Sequence, residues 1–384
     1  MTSSYAVPAA RPSVEACDLD DFIAVLSDEV DPNVYPLASE WREGVPVYEC
    51  PRLDAIELQD ELERVLLNGP GIVVLKDAVD PEAVDRASDV FRSIIIDEKE
   101  RGEARGDHYA KPGANDRIWN ALEKLAVADP DVFVDYYSSE AIAVAARAWL
   151  GPAYQVTSQV NVVNPGGEAQ SPHRDYHLGF TTDAVASQYP LHAHLLSPVL
   201  TLQGAVAHGD MPVDTGPTMY LPHSHKYELG FLAWRRPEFI EYFLQNRVQL
   251  PLEKGDAVFF SPALFHAAGH NRTADVWRMA NLLQISSAFG RAMETIDRTR
   301  MTTAIYPALA QRFSVVENRG TVLNAVAAAA EGYAFPTNLD FDQPVEGLAP
   351  PSQADLVVEA LEQNWSGAEL EAALAAQNRR RLSQ

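Results

Sequence analysis

The chain has 384 residues, 47% of them hydrophobic and 22% charged, and a net charge of -24 at pH 7. That length can bury a substantial core, and the acidic balance argues against nucleic acid or an anionic membrane as partner, since both need a basic surface. With only Cys17 and Cys50, a disulfide framework is not expected and a cysteine zinc site is excluded; apolar runs such as 325–330 fall far short of a membrane span, so the sequence reads as cytoplasmic.

Residues 1–52 mix proline and acidic residues with short apolar clusters and read as an irregular extension. Ile56, Leu58, Leu62, Val65 and Leu66 fall at helical spacing, which predicts a helix over 53–67 stopped by Gly69-Pro70-Gly71. A short buried strand follows at 72–75. Asp80 and Pro81 make a good N-cap and first-turn pair for a helix to about Glu100. The polar stretch 101–120 reads as a loop, and 139–150 as another helix.

From residue 155 strand-like runs dominate, at 155–163, 199–207, 218–221, 256–261 and 277–286, with a helix at 239–248 between them. After Arg300 the pattern is helical again and ends in an amphipathic helix over 367–381. The fold class expected is therefore mainly β with flanking helices, a sandwich or barrel in a helical jacket. The expected organisation is an extension (1–52), a core domain (53–300) and a helical segment packed on it (301–384).

Nine of the ten histidines lie between 173 and 270, inside the strand-rich third. Each one singly is as well explained by an ordinary hydrogen-bonded ring; the clustering points to a metal held by imidazoles and carboxylates. In His173-Arg174-Asp175, residues i and i+2 of an extended segment share a side, so both can reach one metal while Arg174 faces away. The third ligand should come from a distant strand, and His266 ends the apolar run that starts at Asp256. His270 competes for that position, but it sits between Gly269 and Asn271, as in a turn.

Two histidines and one carboxylate form a facial triad that leaves coordination positions open, the set used by iron(II) oxygenases. A dicarboxylate chelating such a metal needs a cation for its far end. Arg278, twelve residues after His266 and flanked by apolar residues, suits that task because its planar fork pairs bidentately with a carboxylate. A surface arginine on an edge strand is the bland alternative.

These passages resemble the phytanoyl-CoA dioxygenase family of iron(II)/2-oxoglutarate oxygenases. The resemblance runs over about 68–290, through the strand and Asp80-Pro81 helix opening, Asn161 to Gly167 leading into His173 and Asp175, Asp214 to His225, and His266 to Thr273 followed by Arg278. It implies a double-stranded β-helix (jelly roll), Fe(II), 2-oxoglutarate as cosubstrate, and dioxygen-dependent oxidation of a small molecule with release of succinate and carbon dioxide. His173, Asp175 and His266 would hold the metal and Arg278 the cosubstrate, helped by Thr201 and Gln203.

Three departures are visible. Arg174 stands where the family commonly has glutamine, His223 where it has glycine, and both chain ends lie outside the recognisable core, where they can cover the site or make a homo-oligomeric contact. The carboxylate at Asp175 favours hydroxylation, desaturation or ring formation over halogenation. Other readings are a cupin-type dioxygenase using His192 and His194, and a non-catalytic jelly-roll partner protein. Lys111, Arg117 and Trp119 of the 101–120 loop, with Arg174, are candidate substrate contacts, although an exposed loop with nothing to bind explains that loop equally well.

Overall fold

Alternating side-chain direction along the strands organises the molecule into two facing sheets, with helices packed on the outer face of each. The computed structural model describes residues 11–28, 30–103, 114–344 and 347–383. Among them are eleven strands: β1 (Glu40–Arg42), β2 (Val45–Glu49), β3 (Ile72–Lys76), β4 (Asn115–Ile118), β5 (Gln155–Val163), β6 (Thr201–Ala207), β7 (Met219–Leu221), β8 (Val248–Gln249), β9 (Ala257–Phe260), β10 (Phe265–Ala267) and β11 (Arg278–Ser286). Eight form one sheet in the order β1-β2-β3-β9-β6-β11-β5-β4, and β10-β7-β8 form a second. Only β2 and β3 pair in parallel; the other pairings are antiparallel.

The central strands of the large sheet have two buried faces. Ile72, Val74, Val258, Phe260, Ala207 and Ala280 point between the sheets, against Tyr220, Leu250 and Leu252. Their neighbours Val73, Leu75, Phe259, Val206, Leu202 and Leu283 point to the other side, into one core shared with the helices. Burying each such side chain contributes about 1.5–3 kcal/mol. The covering helices start at side-chain caps that satisfy their first free N–H groups. Asp54 accepts from Ile56 and Glu57 ahead of Ala55–Leu67, Asp80 accepts from Glu82 ahead of Pro81–Glu100, and Ser139 accepts from Ile142 ahead of Glu140–Leu150.

Three expectations need correcting. The N-terminal extension is not irregular, since β1 and β2 continue the large sheet and a helix covers Leu19–Leu26. The 101–120 loop ends in β4, which escapes a hydrophobicity reading because Asn115 and Arg117 are polar and pair across to Val163 and Asn161. Helical residues also outnumber strand residues, so the β emphasis describes the core that carries the site rather than the whole chain. No helix of the described residues is long and apolar enough to cross a membrane.

Candidate active site

The site begins where β5 ends. After Val163 the chain turns through Asn164-Pro165-Gly166-Gly167 and comes back against β10. There His173 and His266 form an isolated antiparallel bridge, each donating its N–H to the other's carbonyl at 2.9 and 3.2 Å. Two histidines placed directly opposite each other project their rings together, with centroids 4.5 Å apart. Asn271 closes the corner, donating to the carbonyls of Val163, Asn164 and Val276. Ser224 accepts from Phe265 N at 2.8 Å and donates to Leu221 O at 2.6 Å, which ties the turn after β7 to β10.

His173, Asp175 and His266 come together so that one ligand atom from each lies within 4.8 Å of the others. His173 Nδ1 donates to Ser171 O at 3.0 Å and His266 Nδ1 to Leu264 O at 2.8 Å. These carbonyls accept the Nδ1 protons and turn both Nε2 atoms towards the carboxylate, 3.7 and 3.4 Å from Asp175 Oδ1 and Oδ2. Burial opposes ionisation of Asp175, but His173, His266 and the amide of Gln203 outweigh it and hold the carboxyl well below its ordinary range. The next residue, Tyr176, has φ 63° and ψ 151°, an unfavourable conformation for a non-glycine residue. The chain reverses tightly there: a Cβ on Gly179 would meet Arg174 O at 2.0 Å.

A cavity of about 410 Å³ opens on this cluster between the two sheets. Arg278 lines it from the first position of β11. Its guanidinium is buried, with Nε unbonded, and no carboxylate of the described residues lies within ion-pair distance. Burial lowers its pKa to about 10, so it stays charged at neutral pH. A buried cation beside a two-histidine, one-carboxylate cluster matches what a metal-chelated dicarboxylate requires. The residues present therefore fit iron and 2-oxoglutarate.

The remaining expected residues divide. Gln203 lines the cavity, but its amide donates to Asp175 Oδ2 at 2.5 Å. Thr201 does not line it; two residues further along β6, paired with Ser286, it directs its hydroxyl to Ser197 O. Arg117 and Trp119 line the cavity, with the guanidinium stacked 4.6 Å from the indole and bonded to Gln159. Lys111 lies outside the described residues.

Arg174 is not a substrate contact. It points away from the cluster and is buried between the rings of Phe231 and Phe265, donating to Ser224 O at 2.5 Å and Tyr227 O at 3.0 Å. A Cβ on Gly230 would sit 1.9 Å from its guanidinium carbon. Arg174→Ala should therefore cost about 2–5 kcal/mol through a cavity and the loss of two buried hydrogen bonds to carbonyls. Urea unfolding checks this; a variant with wild-type stability but weakened ligand binding would refute the packing role.

The rival histidines are elsewhere. His192 and His194 lie on the helix Leu191–Val199, where buried His194 bonds Ala186 O at 3.0 Å. His270 is outside the cluster, in the loop whose backbone packs against Gly216. Sequence reasoning missed Gln170, Tyr220 and Gln284 as lining residues, and Glu294, whose Oε1 accepts from Asn120 N at 2.9 Å behind Arg117. The alternation Arg278, Ala280, Leu282, Gln284 along β11 carried the signal for Gln284.

The chain is similar to dioxygenase olcK of Penicillium canescens, at 25% identity over 69% of this chain and 83% of that protein. It is also similar to dioxygenase cdmD of Talaromyces verruculosus, at 31% identity over 35% of this chain and 39% of that protein. Among solved structures it is similar to the non-haem α-ketoglutarate-dependent carbocyclase SnoK from nogalamycin biosynthesis, at 21% identity, covering 62% of this chain and 87% of that one with a TM-score of 0.43. The epimerase SnoN of the same biosynthesis matches at 21% identity, over 59% and 81%, with a TM-score of 0.40. The family model of phytanoyl-CoA dioxygenase (PhyH) matches residues 67–280, more than half of the sequence, and the chain belongs to that family.

Proposed function

We propose that this dioxygenase-family chain uses iron(II) and 2-oxoglutarate to oxidise a small molecule, on a double-stranded β-helix core formed by the two facing sheets. The observation that carries the reading is Arg278, a buried cation without a carboxylate partner among the described residues, in the same cavity as His173, Asp175 and His266. His173 Nε2, His266 Nε2 and an oxygen of Asp175 would hold the metal, and the Arg278 fork would pair the far carboxylate of 2-oxoglutarate. When bound, iron supplies dioxygen activation at the expense of the cosubstrate, which leaves as succinate and carbon dioxide. The protein's own work is to fix the imidazole tautomers, keep Asp175 ionised, and shield the reacting atoms from water with Phe260, Leu250 and Leu252. With Asp175 in the third ligand position, the reading favours hydroxylation, desaturation or ring formation rather than halide transfer.

Anaerobic titration with iron(II) and 2-oxoglutarate tests this. A weak visible charge-transfer band is expected in the wild type and its loss in Asp175→Ala. No band at saturating ligand would sink the reading, and loss of the band in His192→Ala would restore the cupin arrangement.

A further inference from the structure

Gln203 is almost entirely buried, 4% exposed, and its side chain lines the cavity next to the metal cluster. The Gln203 NH2 donates to Asp175 Oδ2 at 2.5 Å. The same nitrogen donates to Gln284 Oε1 at 3.4 Å, from the residue directly across on β11. Both amide hydrogens are thus assigned, and what remains of Gln203 is Oε1, a buried acceptor to which no described residue donates. A 2-oxoglutarate carboxylate has no hydrogen to offer it, so the expected cosubstrate role of Gln203 does not fit its chemistry.

The charges around the cavity narrow the substrate further. Among the described residues, its lining cations other than histidines are Arg278, assigned above to the cosubstrate, and Arg117, already engaged with Gln159, Trp119 and the charge of Glu294. The rest of the described polar lining is neutral, the carboxamides of Gln159, Asn161, Gln170 and Gln284 and the hydroxyls of Thr218 and Tyr220. Neutral groups that donate and accept match the substrate's own hydroxyls and carbonyls, whereas an anion would lose its hydration for little return.

Building on the oxygenase reading, we propose that the substrate is an uncharged, hydroxyl-bearing molecule and that Gln203 Oε1 accepts a hydrogen bond from its hydroxyl beside the metal. Gln203 is then a substrate-positioning residue: one amide group steadies Asp175 and also fixes which carbon faces the metal.

The test is ligand-observed NMR on the anaerobic protein loaded with iron(II) and 2-oxoglutarate. The probes are a fragment library built as matched triplets of neutral alcohol, methyl ether and carboxylate, and broadening by the metal selects fragments bound beside it. Formation of the charge-transfer band is read first, so failure of the oxygenase reading is recorded separately. Alcohols are expected to bind about tenfold tighter than their ethers, because the ether leaves a buried acceptor unmatched. In Gln203→Met the preference should fall to about twofold or less on the same reasoning. Thr201→Val, on the same strand but outside the cavity, should retain it. Carboxylates bound best, equal retention of alcohols and ethers, no fragment retained, or a preference that survives Gln203→Met would each overturn the proposal.

Discussion

Arg278→Met is expected to raise the 2-oxoglutarate concentration for half-saturation by about thirtyfold to several thousandfold, the range for truncating one partner of a buried charge pair. Iron affinity should stay within about threefold, since Arg278 lies outside the ligand cluster. The same variant should melt at a higher temperature than the wild type when neither ligand is present. The folded chain buries a guanidinium with no carboxylate of the described residues beside it, and burial lowers its pKa from the ordinary arginine value to about 10. A cation whose pKa is depressed by folding opposes folding while it is charged. That opposition is complete below pH 10 and fades as pH rises above it towards the ordinary arginine range, so at neutral pH an apolar replacement of similar length removes an unfavourable contribution. Added 2-oxoglutarate with metal should reverse the order by stabilising only the wild type. Anaerobic titration calorimetry and differential scanning calorimetry check both halves. Unchanged cosubstrate affinity would remove Arg278 from the site.

The second large effect is acid sensitivity. His208 is buried among the helices behind the large sheet, beside Phe91 and Tyr136. Ser88 donates to Val84 O at 2.7 Å, so its oxygen accepts from His208 Nδ1 at 2.8 Å, and Nε2 accepts from the Tyr136 hydroxyl at 3.0 Å. A ring with one donor and one acceptor thus assigned is neutral, and burial lowers its pKa to about 3. Burial likewise lowers His225 to about 3 and His223 to about 4. The unfolded chain takes up these protons near pH 6.5 and the folded chain refuses them. Stability is therefore full above pH 6.5 and falls between there and pH 3–4, by about 1.4 kcal/mol per pH unit for His208 alone. His208→Gln should flatten the acid limb by about that slope while lowering stability at pH 8. Urea midpoints from pH 8 to 4 measure it, and parallel curves for variant and wild type would show that His208 already carries a proton in the fold.

Much of this was legible in the residues. The run Gln155–Val163 has the bounds expected, and the caps Asp80 and Ser139 start helices as their side chains dictate. His173 and Asp175 met because a period of two is a short-range geometric fact. Period two assigns a face but not a depth along it, which is why Thr201 and Gln203 looked equivalent although only one borders the cavity. β10 is three residues long and buried throughout, so no alternation marks it. The destination of Arg174 depends on Phe231 and Gly230, contributed by a distant segment, and Glu294 lies in a loop with no periodic signal.

The paired backbone bonds between His173 and His266 mean that the two imidazoles are held by peptide groups rather than by the ion proposed to bind there. The chain folds around its own hydrogen bonds and presents a finished socket, so little conformational entropy is lost when the ion arrives. Loading and removal by a chelator should consequently be reversible at room temperature, and the amide hydrogens of these two residues should be protected from solvent exchange even in metal-free protein.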